Sequence, residues 1–192
     1  LYATKVCHLL KSQGTIISFL STIVMKSTLA QSTTALLALY TLANTFSRHF
    51  LAQYMLQHMD LVLESCLNIA ETFSHQNDEN IKIAKSNKKI RLASANIMIN
   101  YAIIMSNKHV EEKIQLLSCC IDRLEVEMNS LNEMKMIYRY LVIIGTILYN
   151  DVNSIELAKD LDLLSILDKI MVKKDNVSNI TEIINELKDV MN

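Results

Sequence analysis

Apolar residues recur along this chain at intervals of three and four, the spacing that puts them on one face of an α-helix. Ile16, Phe19, Leu20 and Ile23 make a first stripe, and Leu36, Leu39, Leu42, Ala43 and Phe46 a second. Met59, Val62, Leu63, Cys66, Ile69 and Ala70 make a third, and Leu92, Ala95, Ile99, Ala102 and Ile103 a fourth. Ile114, Leu117, Ile121 and Leu124 follow. Ile180, Ile183, Ile184, Leu187 and Met191 form the last. Three segments are apolar almost throughout: LLALYTLANTF (36–46), LASANIMINYA (92–102) and YLVIIGTILYN (140–150). Each carries a small or amide residue near its middle, namely Asn44, Asn100 and Gly145. These recur at about 50 residues, a period that suits armadillo or HEAT units of two or three helices. In that arrangement the apolar helix of each unit forms an inner layer between its neighbours. Periodicity alone leaves an irregular helical bundle open as well.

Polar residues supply the breaks. Ser130 with Glu133, Asn153 with Glu156, and Asn179 with Glu182 each fit an N-cap with a reciprocal glutamate three residues on. The polar run SHQNDENIKIAKSNKK (74–89) predicts the chain's main loop. The chain has only two glycines, Gly14 and Gly145, and no proline. A sheet needs many tight turns, and tight turns draw on those two residues. An all-helical chain follows.

The 192 residues fit one domain, 51% of them hydrophobic. No apolar run reaches the roughly 18 residues of a membrane span. The first residue is Leu within a helical pattern, so the chain reads as a piece of a longer protein. The four cysteines, Cys7, Cys66, Cys119 and Cys120, contain no CxxC pair and read as buried reduced thiols of a cytosolic or nuclear protein. The tripeptides Asn176-Val177-Ser178 and Asn179-Ile180-Thr181 match glycosylation sequons but also read as a helix start. The net charge of −1 hides an asymmetry. Residues 1–110 hold ten Lys/Arg and five Asp/Glu, whereas residues 111–192 hold nine and fifteen. The basic half suits an acidic partner.

Catalytic chemistry finds little footing. P-loop, dinucleotide, HExxH and GxSxG patterns are all missing from the sequence. The five histidines lie apart, without metal-ligand spacing, so neither a metal nor a cofactor is expected. Cys7 and His8 are neighbours, and neighbouring side chains diverge on a helix. Lys82, Lys85, Lys88, Lys89 and Arg91 suit phosphate, but no aromatic interleaves them, and a solvated face explains them better than nucleic acid. Arg139 is different. It begins the apolar run 138–148, where an unpartnered charge is costly to bury. It is either an ion-pair member, with Glu133 or Asp151, or a reader of an acidic ligand. Gly145, mid-helix, costs about 1 kcal/mol against alanine, which points to close approach of a neighbouring helix.

The blocks RLASANIMINYAIIM (91–105), EEKIQLLSCCIDRL (111–124), YRYLVIIGTILYND (138–151) and SIELAKDL (154–161) together resemble the PUL domain. LALYTLANTF (37–46) fits the earlier part of that pattern. The resemblance implies one domain over 1–192 with an all-α, armadillo-like solenoid fold. It implies a non-catalytic adaptor for the acidic, aromatic-containing C-terminal tail of the valosin-containing-protein-type AAA ATPase. Ubiquitin would be met indirectly, through other domains of the full-length protein, and the setting would be cytoplasmic or nuclear. Arg139 matches the family arginine, Asn100 the "NYA" asparagine and Asn44 the "NxF" asparagine. Each asparagine has an alternative as a buried amide tying helices together. Asn96 and Arg91 belong to the same implied groove.

The family pattern implies an arginine at the position of Tyr40, four residues before Asn44. Arg48, one turn beyond, is the nearest substitute charge. The glycine that ends the family's "AKSLG" is aspartate here, Asp162. A helical scaffold for another protein, or for the chain's own N-terminal domains, is the alternative reading.

Overall fold

The computed structural model describes residues 13–26, 32–46, 56–72, 81–105, 108–128, 134–173 and 178–192. Among them, helices follow the apolar period: α1 (Gln13–Lys26), α2 (Ser32–Phe46), α3 (Met59–Thr72), α4 (Ile81–Ile104), α5 (Val110–Glu127), α6 (Met134–Leu148), α7 (Val152–Asp160), α8 (Leu163–Lys173) and α9 (Ser178–Met191). No strand occurs among the described residues. The chain is thus all-α, the class expected of an armadillo-like chain. No helix among these residues is long and apolar enough to cross a membrane. The chain divides into two compact units between Ile104 and Met105.

In the first unit, α1 packs on α2 and α3, and α4 packs on the same two helices. All six residues of the expected α3 stripe are buried. Polar side chains bind this unit together by bonding to backbone carbonyls. The Ser65 hydroxyl donates to Leu61 O at 2.6 Å and reaches Ser21 O of α1 at 3.3 Å. Asn68 Nδ2 donates to Met25 O at 3.3 Å, in the last turn of α1, where carbonyls lack intrahelical partners. Ser94 of α4 donates to Cys66 O of α3 at 3.0 Å. The small residues Ala93, Ser94 and Ala95, all buried, let the two helices approach.

Two expectations change here. The loop over 74–89 gives way to helix from Ile81 onward. Lys, Ala and Ile are helix-compatible and nothing in the stretch from Ile81 breaks a helix, so its polar composition does not mark a chain reversal. Residues 74–80 lie outside the described residues. The buried face of α4 differs in part: Ala95 and Ala102 of the expected stripe are buried, but the face also carries Ile90, Ile97, Met98 and Tyr101, and Ile103 is 63% exposed. A helix apolar on most sides does not announce which face it buries.

In the second unit, α6 packs on α5, α7 and α9, and α8 packs on α7 and α9. Eight α6 side chains are buried, from Met136 to Leu148. The run that opens at Tyr138 is the inner helix of its unit, as expected. Its end turns through Asn150 at φ 55°, and α7 ends at Asp162 with φ 57°. Both are left-handed positions, which Asn and Asp tolerate better than other non-glycine residues. Asp162 thus takes a left-handed angle at the position where the resemblance implies a glycine.

The caps differ from expectation too. Asp151, not Asn153, caps α7: its Oδ1 accepts from Ser154 N at 3.2 Å. Its Oδ2 accepts from Lys113 Nζ of α5 at 2.9 Å, where both side chains are largely buried. Helix α9 starts at Ser178, so Asn179 lies within its first turn. Ser130 and Glu133 lie outside the described residues.

The Lys113 bond, followed by that of the Ser154 N–H, outweighs burial and holds the Asp151 carboxyl below its ordinary value of 3.8. A depressed folded value stabilises above the unfolded pKa and is lost as pH falls through the folded one. Asp151→Asn keeps a capping oxygen but leaves Lys113 buried without its counter-charge. It is expected to cost about 1–3 kcal/mol at neutral pH. In urea titrations the gap from wild type should hold down to about pH 4 and close below it; a gap indifferent to pH would refute the pairing.

Candidate functional site

Two sets of residues carry the expected binding chemistry, one in each unit. In the first unit, α2 contains no charged residue. Among its described side chains, Thr34, Leu37, Tyr40 and Thr41 are exposed, with Tyr40 at 47%. The Thr41 hydroxyl donates to Leu37 O at 2.9 Å, so its donor is used within the helix. Asn44 continues this row by helical spacing. Its side chain and the whole of Arg48 lie outside the described residues. On α4, which packs against α2, Asn96 is exposed and Asn100, one turn later, is half-buried. They share a face at i and i+4, and Ile103 extends that row. Arg91 does not join them. It is 4% exposed and belongs with Ser94, Ala95 and Met98 on the packed side of α4.

In the second unit, Arg139 is half-buried on α6. Its Nη1 donates to Lys135 O at 3.0 Å, one turn back. Asp151, one partner expected for it, is engaged instead by Lys113 and the α7 backbone. The other, Glu133, lies outside the described residues. Arg139 shares a helix face with Val142 and Thr146, spaced i, i+3 and i+7. Those two line a groove of about 440 Å³ between α6 and α9. Leu141, Gly145 and Tyr149 complete its α6 side, and Ile183, Glu186, Leu187 and Val190 form its α9 side.

Gly145 sits in that groove wall, and the close helix approach expected to explain it is not there. A Cβ added there would meet only Leu187 Cδ2, at 3.5 Å, an ordinary contact. Helix packing does not demand the glycine; its absent side chain widens the groove. Two of the α9 lining residues, Ile183 and Leu187, belong to the expected last stripe, whereas Glu186 and Val190 do not. Val190 is the signal beyond that stripe, an apolar position beside the buried row Ile180, Ile184, Leu187 and Met191.

The cysteines offer no activated nucleophile among the described residues. Cys66 and Cys120 are buried and unbridged, and Cys119 is half-buried. Burial pushes the Cys66 thiol up to about 12 and the Cys120 thiol well above its ordinary value. Thiols so raised stay protonated at neutral pH and react slowly. Cys7 lies outside the described residues. No group of three or more His, Cys, Asp or Glu among the described residues is placed to hold a metal ion.

With this geometry in view, comparison with known proteins decides the family. The family model described as "PUL domain" matches residues 2–186. The chain belongs to the PUL domain family. It is similar to the phospholipase A-2-activating protein of Xenopus laevis, 37% identical over 87 residues. That alignment covers 45% of this chain and 10% of the relative, so the chain corresponds to a small part of that protein. No solved structure gives a significant match. The PUL domain is a protein-binding domain and not a known enzyme family.

Gly145 gives this PUL domain a simple check. Since an added methyl meets only ordinary contact, Gly145→Ala should raise stability by about 0.5–1 kcal/mol through helix propensity. A lowered urea midpoint would show that the groove wall needs the glycine after all.

Proposed function

We propose that this PUL domain is a non-catalytic adaptor that binds the acidic C-terminal tail of the valosin-containing-protein-type AAA ATPase, in ubiquitin-dependent protein degradation. One observation carries the reading: Arg139, at the family's arginine position, stands half-buried on the same α6 face as the groove residues Val142 and Thr146. A half-buried guanidinium already bound to a carbonyl is pre-oriented. It exchanges little water and little rotamer freedom when a carboxylate arrives, so the charge-assisted bond is strong. Asn96 and Asn100 supply amide donors and acceptors for an extended peptide backbone, and Asn44 and Arg48 extend this set in sequence. The family match across 2–186 supports reading the whole chain as one functional domain. It acts in cytoplasm or nucleus, and ubiquitin is met through other domains of the full-length protein.

A second reading rests on Tyr40. An exposed aromatic replaces the family's arginine on a helix with no charge. That face suits an apolar partner, such as another protein or the chain's own N-terminal domains. Calorimetric titration with a synthetic acidic tail peptide separates the two. The tail reading expects saturable binding that Arg139→Ala weakens about tenfold or more. Unchanged affinity in that variant would remove Arg139 from the site, and no binding at millimolar peptide would leave the scaffold reading.

A further inference from the structure

Arg139, which carries the acidic-tail reading, is not in the lining of the groove between α6 and α9 but one turn before Val142, and the lining has a chemistry of its own. Its floor is apolar: Leu141, Val142 and Gly145 face Ile183, Leu187 and Val190. Thr146 adds no free donor, because its hydroxyl bonds to Val142 O at 2.7 Å. Glu186 is the single charged group in the lining. Glu182, one turn before it, and Asp189, one turn after, are exposed on the same edge of α9. The lysine of α9, Lys188, is held by Asp168 of α8 and does not offset them. Tyr149, 74% exposed, stands on the α6 side as a neutral aromatic.

An occupant of this groove is therefore apolar where it meets the floor and positive where it meets α9. Two packed helices leave a furrow that a third helix fills through side chains at i, i+3, i+4 and i+7. We propose that the α6–α9 groove binds a short basic amphipathic helix of a partner protein. Leucine-sized side chains fill the space beside Gly145 and Leu187, and a lysine or arginine pairs with Glu186. The Tyr149 ring attracts a second cation through its face. The same carboxylates repel an anionic bilayer. They also oppose a second copy seated through the same groove, which would set carboxylate against carboxylate.

Fluorescence anisotropy on the full chain tests this with two labelled synthetic peptides of about 14 residues in one amphipathic pattern. One is built from leucine, alanine and lysine, the other from leucine, alanine and glutamate. The lysine peptide is expected to saturate, to weaken as salt rises, and to bind about tenfold or more tighter than the glutamate peptide. Glu186→Lys and Val190→Arg, both at exposed positions, are each expected to weaken it about tenfold. Circular dichroism checks that both variants keep their helices. Should either lose them, Glu186→Gln removes the charge with little change of shape, and about threefold weakening is expected. Equal binding of the two peptides, unchanged affinity in folded variants, or no saturable binding at millimolar peptide overturns the proposal. A dimer in light scattering that Glu186→Lys dissociates also overturns it, by assigning the groove to a second copy.

Discussion

Burial of α6 on three sides is the constraint from which the second unit follows. Helices α5, α7 and α9 all pack on it, and eight of its fifteen side chains are buried. Each large apolar side chain so buried contributes about 1.5–3 kcal/mol. No other helix in this unit buries so many. With so many positions committed to packing, α6 keeps one narrow face for anything else. Arg139, Val142 and Thr146 lie on that face, which is why charge and groove meet on a single row. A helix less fully surrounded would spread the same residues over a wider surface and orient the arginine less.

The first unit solves a related problem with polar ties. Its helices approach through Ala and Ser positions, and the hydroxyls of Ser65 and Ser94 and the amide of Asn68 bond to carbonyls of neighbouring helices. Such bonds have exacting geometry and fix register where apolar packing alone leaves it loose. They also show why a polar residue within an apolar run need not mark a binding site. Arg91 illustrates the same point, buried on the packed side of α4 although its charge suggests a ligand contact.

How far the sequence speaks depends on local contrast. The α3 stripe is legible because its apolar row is bounded by Asp60 and Glu64, both exposed, and every residue of the row is buried. Helix α4 has little such contrast, so its existence can be read but its facing cannot, and Ile103 is exposed against expectation. Position 151 shows a different limit. Asn153 with Glu156 satisfies the local capping rule, yet Asp151, itself a favoured capping residue, caps α7 and is also bound by Lys113, distant in sequence. A local rule has no access to that partner. The groove is harder still, since it is defined by a side chain that Gly145 lacks and by residues more than thirty positions away on α9.

The two departures from the family pattern differ in kind. Asp162 replaces a glycine, but what the position requires is a backbone angle, and aspartate reaches φ 57° at modest cost. The chain's path through that corner is preserved without any change elsewhere. Tyr40, exposed on α2, stands where the resemblance implies an arginine, and an arginine there would present charge and hydrogen-bond donors to a partner. Helix α2 holds no charged residue that could take over. Tyrosine keeps a large contact area and a single hydroxyl but gives up five donors and a positive charge. A backbone requirement can be met by any residue that tolerates the angle. A recognition requirement can only be met by the chemistry the partner reads.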